Sequence, residues 1–119
     1  GVGITPIHSM LGRLRDTGDQ RPGVLIYGNK REEDILFRDE LEKLPDHIKV
    51  VHVLSRASDD WDGYRGFVTR DIIRDEAAHV LDEGDVYLCG PPVMMDMVID
   101  ELRGLDVPDP RIHYERFAL

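Results

Sequence analysis

The 119-residue sequence predicts an α/β domain built on a doubly wound, mainly parallel sheet. Short apolar runs alternate with amphipathic stretches of helical spacing from one end to the other. Gly, Pro and Asn punctuate the junctions between them, and no repeat or low-complexity segment interrupts the order. With 41% apolar and 33% charged residues, the length suits one compact core and one domain spanning 1–119.

Thr5-Pro6 reads as an N-cap and first-turn proline, opening a helix over about residues 6–16 in which Ile7, Met10, Leu11 and Leu14 share a face. Val24 to Tyr27 is an apolar run ending at Gly28-Asn29, and a helix is predicted from Glu33 to Leu44, before Pro45. Ile48 to Leu54 supplies the next strand, and Asp59 to Gly66 reads as a polar loop. Thr69 to Asp82 carries Ile72, Ile73, Ala77, Val80 and Leu81 at helical spacing. Asp85 to Cys89 is a further strand, Gly90-Pro91-Pro92 opens a helix that runs to Gly104, and Ile112 to Phe117 forms the last strand. The order begins on a helix, whereas each helix of a parallel sheet is a crossover fed by a strand. The sequence therefore reads as N-terminally truncated and lacking its first, central strand. Such a loss would leave a gap with exposed apolar flanks, a marginal fold, or repair by a dimer or strand swap.

Composition excludes several classes. A formal charge of -9 without clustered Lys and Arg argues against a nucleic-acid or anionic-membrane surface, and fits either simple solubility or attraction to a basic partner. One cysteine, Cys89, allows no internal disulfide and no multi-cysteine metal site, so no metal is expected. No apolar run reaches the roughly 18 residues of a membrane span, and no secretory signal is legible, so the chain reads as cytoplasmic.

Four stretches hold candidate chemistry. Gly1-Val2-Gly3-Ile4-Thr5-Pro6 leads glycines into a helix N-terminus, where a phosphate can approach backbone N–H groups; a plain glycine turn before a capped helix reads equally well. Tyr87-Leu88-Cys89-Gly90-Pro91-Pro92 ends a strand at the edge where open α/β sheets bind ligands. Its prolines make a rigid, donor-poor turn suited to a flat partner, and Cys89 is either a polarisable contact there or a core filler. Ser55, Arg56 and Arg65 can hold a phosphate monoester, unless the arginines pair with Asp59, Asp60 and Asp62 in a solvated loop. In the tail, Phe117 offers a stacking face and Glu115 an acid, or the two are edge-strand packing.

Taken in order, these stretches resemble the nucleotide-binding domain of ferredoxin-NADP-reductase-type flavoproteins across nearly the whole chain. The resemblance rests on Gly1, Gly3, Thr5 and Pro6; on Tyr27-Gly28-Asn29 followed by an acidic helix; on Trp61 to Val68, similar to cytochrome-b-type and oxygenase reductases; on Cys89-Gly90-Pro91-Pro92 with Met94-Met95; and on Glu115-Arg116-Phe117. It implies the strand order 3-2-1-4-5. It also implies that Gly1, Gly3, Thr5 and Pro6 receive a pyrophosphate, that Cys89, Gly90 and Pro91 lie beside a nicotinamide, and that Phe117 covers the nicotinamide or flavin ring while Glu115 orders that region. Tyr27, Gly28, Asn29, Pro92 and Met94 belong to the matching turns. Hydride would pass from the nicotinamide to a flavin, FAD or FMN, so the protein chiefly positions two rings. Ser55-Arg56 is similar to the NADPH-using members and favours NADPH over NADH, although some NADH enzymes also carry a serine there.

No flavin-binding barrel is legible, so the flavin domain would be supplied by a parent protein, with an iron-sulfur or haem electron acceptor beyond it. The competing reading is a non-catalytic nucleotide-binding or regulatory module. A phosphate-receiver domain fails, because it needs a lysine late in the chain and the last one is Lys49.

Overall fold

The computed structural model describes residues 7, 10–14, 18 and 20–114. Five parallel strands form one sheet: β1 (Gly23–Asn29), β2 (Ile48–Leu54), β3 (Tyr64–Arg65), β4 (Asp85–Cys89) and β5 (Ile112–Tyr114). Their order is 3-2-1-4-5, the order the resemblance implies, with Gly23–Asn29 in the central place expected for a strand ahead of Gly1. Three α-helices connect them, α1 (Arg38–Glu42), α2 (Arg70–Ala77) and α3 (Pro92–Gly104), and residues 7 and 10–14 are helical as well. None of the described helices is long and apolar enough to cross a membrane.

Strand β1 is central and buries both faces, which is why its sequence is a continuous apolar run rather than an alternation. Val24 and Ile26 point to one side, where with Val86 and Leu88 they meet Ile73 and Ala77 of α2 and Val98, Ile99 and Leu102 of α3. Leu25 and Tyr27 point to the other side and join Tyr87, Cys89, Leu54, Ile7, Met10 and Leu41. Each layer thus takes alternate residues of the same strands, and helices cover both.

The expected central gap is corrected. Gly23 to Tyr27 pair directly with Asp85 to Cys89 on one side, and Gly23 to Asn29 with Ile48 to Leu54 on the other. Val24, Leu25, Ile26, Val86 and Leu88 are all 0% exposed, so the apolar flanks that a swap or dimer would have covered are already covered within the chain. Gly23 contributes to this closure, because a Cβ there would stand 2.8 Å from Ile48 Cδ1.

Two local expectations also change. The single helix predicted from Glu33 to Leu44 is a 3-10 turn (Glu32–Asp34) followed by α1, separated by Phe37 in the left-handed region at φ 58°. The Leu36 N–H donates to the Tyr27 hydroxyl at 3.1 Å instead of continuing a helix, which lets Ile35 and Leu41 both turn inward. Within the predicted polar loop, Tyr64 and Arg65 form the edge strand β3, paired with Val53 and Leu54. The other elements follow the sequence closely. The Thr69 hydroxyl accepts the Ile72 N–H at the start of α2, and Pro92 occupies the first turn of α3, where its missing N–H is harmless.

At the amino end of the sheet, Asp85 is a buried carboxylate held by Arg21 at 3.0 Å, Arg13 at 3.5 Å and His113 Nε2 at 2.9 Å. Nearby, where the 3-10 turn after α2 ends, the Arg111 guanidinium donates to the carbonyls of Val80, Leu81 and Gly84, the first of which also accepts the Gly84 N–H. Both groups lie at the end of the strands opposite the cavity described next.

Candidate nucleotide-binding cavity

The chain order runs outward from β1 through β2 to β3 on one side, and through β4 to β5 on the other. Connections therefore part company between β1 and β4, and the loops leaving the carboxyl ends diverge there to leave a crevice. A cavity of about 330 Å³ occupies this edge. Gly28, Asn29 and Lys30 of the β1 end form one wall, and Val53, Ser55 and Arg56 of the β2 end the next. Gly66, Phe67 and Val68 close one side, and Pro91 with Met94 at the start of α3 the other.

Backbone chemistry fixes each wall. The Ser55 N–H donates to the Asn29 carbonyl at 3.0 Å and the Arg56 N–H to the Lys30 carbonyl at 2.7 Å, which extends the β1–β2 ladder into the loops. The Gly66 N–H donates to the Leu54 carbonyl at 2.9 Å, and Gly66 itself sits at φ 81°, a conformation that disfavours any side chain. That turn sets Phe67 at the cavity with 81% of its surface exposed.

The floor is built from glycine. A Cβ on Gly28 would lie 2.4 Å from Met94 Sδ, and one on Gly90 would lie 2.6 Å from Met94 Cε. Met94 therefore rests on two bare backbones, one from each of the strands that flank the crossover point. The result is a flat, mostly apolar floor with cations on the rim and no Asp or Glu among the described lining residues. Such a surface accepts an aromatic ring against its floor and phosphate at its edge.

The residues singled out in the sequence separate into groups. Gly28, Asn29, Ser55, Arg56, Pro91 and Met94 come together in the lining, with Gly90 directly beneath Met94 and Pro92 in the first turn of α3. Tyr27 and Cys89 are not in the lining: both are buried in the layer that also holds Leu25, Leu41 and Tyr87. Burial pushes the Tyr27 hydroxyl above its ordinary value, against the hydrogen bond from Leu36, and pushes the Cys89 thiol up to about 11, so both are neutral near pH 7. Arg65 is turned away as well, its guanidinium donating to the carbonyls of Asp59 and Trp61 within its own loop. Gly1, Gly3, Thr5, Pro6, Glu115 and Phe117 lie outside the described residues. Lys30, Val53, Gly66, Phe67 and Val68 also line the cavity without having been singled out as candidate site residues in the sequence. Among the described residues no cluster of His, Cys, Asp or Glu is arranged to hold a metal ion.

Fold and cavity together define a doubly wound parallel α/β domain with a cavity at the carboxyl edge of its sheet. Residues 1–100 match the oxidoreductase NAD-binding domain family, and the chain belongs to that family. Over 104 residues it is 36% identical to NADH-cytochrome b5 reductase 1 of Candida glabrata, covering 82% of this chain and 36% of that protein. Over 117 residues it is 34% identical to the NADH nitrate reductase of Spinacia oleracea, covering 92% of this chain and 13% of that protein. The chain thus spans well under half the length of these relatives. Among solved structures, it resembles the CS-b5R domains of human Ncb5or in their NAD+ form, with a TM-score of 0.77, 28% identity, and coverage of 95% of this chain and 34% of that one. The cytochrome b5 reductase domain of Ulva prolifera nitrate reductase is similar at a TM-score of 0.75 and 28% identity, over 95% of this chain and 45% of that one.

Proposed function

We propose that this domain presents NADH or NADPH to a flavin held on a separate domain of a larger oxidoreductase, from which electrons pass to a haem or iron-sulfur acceptor. The observation that carries the reading is the glycine floor: Gly28 and Gly90, from the two strands beside the crossover point, leave room for Met94 to make a flat apolar seat under the cavity. The names of the relatives, NADH-cytochrome b5 reductase and nitrate reductase, support the same chemistry. A bound nicotinamide supplies the hydride. The chain's own residues position it: Pro91 and Met94 limit one end, Phe67 and Val68 the other, and the apolar lining keeps water from the ring. No side chain is required as nucleophile or proton carrier, which agrees with the neutral, buried state of Cys89.

Within this reading the domain accepts NADPH at least as well as NADH. The position after β2 is Ser55 followed by Arg56, and the described lining residues include no carboxylate that would repel a 2′-phosphate. Calorimetric titration of the chain with both nucleotides tests the binding, and mixing the chain with the flavin domain of a related reductase tests the function. Nucleotide-dependent flavin reduction in that mixture is the expected result. Saturable binding without reduction would instead leave a non-catalytic nucleotide-binding module.

A further inference from the structure

We propose that the outer edge of β2 is a docking site for an extended, basic segment of a partner protein, which adds a strand in line with β3. The surface shares no described lining residue with the cavity at the carboxyl edge and does not depend on what that cavity binds.

The backbone leaves this edge open. The Gly23 N–H donates to the His47 carbonyl and the Ser55 N–H to the Asn29 carbonyl, so the parallel register turns residues 47, 49, 51, 53 and 55 toward β1. Ile48, Val50, His52 and Leu54 face the other way, as the bond from the Gly66 N–H to the Leu54 carbonyl shows. Strand β3 covers that side only at Val53 and Leu54, and the Ile48 N–H is taken by the Pro45 carbonyl at 3.0 Å. Among the described residues the N–H and carbonyl of Val50 and the N–H of His52 therefore have no strand to pair with. An open row of this kind is a template for another strand.

The edge lies in a groove. Two hollows of about 630 and 240 Å³ run along it and share Lys49 and Val50. Leu41, Leu44 and Pro45, from α1 and the loop after it, form an apolar wall on one side. Asp75 and Glu76 of α2 stand on the other, and Trp61 and Tyr64 close the end toward β3. Side chains of an added strand alternate between the two walls, so one set meets leucines and the other meets carboxylates. Lysine on an edge strand ordinarily repels such pairing, but Lys49 Nζ lies 2.5 Å from Glu76 Oε2 and its charge is cancelled there.

Charge selects the occupant. Glu42 is paired with Arg38 at 3.5 Å, and His79 Nε2 faces the Gly23 carbonyl at 3.3 Å. Asp46 and Asp75 are exposed and have no ion pair among the described residues, so the charge left uncancelled along the groove is negative. A segment that alternates Lys or Arg with Val, Ile or Leu places cations beside Asp75 and apolar side chains beside Leu41 and Leu44. A second copy of this chain, itself of net charge -9, would bring the same acids against one another.

An NMR titration of the intact 119-residue chain with the heptapeptide acetyl-Lys-Val-Lys-Val-Lys-Val-Lys-amide is the test. In the complex the Val50 and His52 amides are expected to exchange with solvent roughly tenfold or more slowly, while those of Lys49 and Val51, already turned to β1, change little. The peptide with Glu in place of each Lys should bind at least about fivefold more weakly. Asp75→Lys should weaken the basic peptide roughly fivefold, and Asp100→Lys, the same change of net charge on the exposed face of α3, less than about twofold. Amide spectra of both variants, expected to overlay that of the unsubstituted chain away from the substitution, show that folding is retained. Equal binding of the two peptides, equal losses in the two variants, or shifts confined to the cavity around Gly28 and Met94 would overturn the proposal. So would a lack of binding at millimolar peptide, or a chain that sediments as a dimer with the Val50 and His52 amides already protected, since a second copy would then hold the edge.

Discussion

The thioether of Met94 lies on the backbone of Gly28, so close that a Cβ at residue 28 would meet Met94 Sδ at 2.4 Å. This contact joins the end of β1 to the first turn of α3 across the point where the sheet's connections diverge. It makes the cavity floor depend on two side chains, one of them absent. Because the clashing atom is the end of a flexible side chain, Gly28→Ala can be accommodated by moving Met94, at a modest cost in stability. The displaced Met94 then intrudes on the ligand's space. Gly28→Ala is expected to shift melting by only a few degrees yet weaken dinucleotide binding about tenfold, and the Gly28→Ala, Met94→Ala double variant should recover part of that affinity. Additive losses in the double variant would show that the two residues do not act through one contact.

A second glycine makes a contact of a different kind. A Cβ at Gly84 would stand 2.5 Å from the Pro22 carbonyl oxygen and 2.5 Å from Val80 Cβ, where backbone rather than a side-chain tip must give way. The Gly84 N–H also donates to the Val80 carbonyl and the next residue's N–H to the Pro22 carbonyl, so the chain cannot swing aside without losing both bonds. Gly84→Ala is therefore expected to destabilise the fold by about 1–3 kcal/mol, the range for forced overpacking. Gly104, the last residue of α3, has nothing within 4 Å of a built Cβ and no positive φ. Gly104→Ala is expected to stabilise by up to about 1 kcal/mol, through helix propensity and reduced freedom of the unfolded chain. Urea melts of the two variants check the opposite signs, and a neutral Gly84→Ala would remove the argument from close approach.

The fold was legible wherever a signal is local. Strands β2 and β4 and helix α3 sit where apolar runs and the Gly90-Pro91-Pro92 and Gly104 punctuation place them. What the sequence could not show depends on partners distant in the chain. The break at Phe37 exists because Leu36 bonds to Tyr27, nine residues earlier, and β3 exists because Tyr64 and Arg65 pair with Val53 and Leu54. The closure of β1 directly onto β4 is likewise a long-range pairing that no count of strands along the chain reveals. The cavity was half legible. Motifs located Gly28, Ser55, Pro91 and Met94, but they treated whole turns as units. Strand alternation sends Tyr27 and Cys89 to the opposite layer from the cavity, and a turn's own carbonyls take Arg65. Lys30 falls inside the matched stretch that begins at Tyr27, but nothing in that stretch marks it as a lining residue.

Cys89 sits 2% exposed at the end of β4, packed in the layer that holds Tyr27 and Tyr87. Desolvation by burial raises the thiol from 9.0 to about 11, and burial raises the Tyr27 and Tyr87 hydroxyls too. All three groups are acids that remain protonated in the folded chain after the unfolded chain has released its protons. Between the unfolded and folded values the native state binds more protons, so stability falls as pH rises. For Cys89 that contribution is whole below pH 9 and is lost through pH 11, amounting to at most about 3 kcal/mol for a shift of this size. Urea unfolding should accordingly show a decline in stability above pH 9 that is shallower in Cys89→Ala. The same burial predicts that iodoacetamide labels the folded chain at pH 8 far more slowly than the chain in urea, since the thiolate is scarce and covered. Labelling at equal rates, or an alkaline decline unchanged by Cys89→Ala, would mean that the thiol faces the cavity rather than the core.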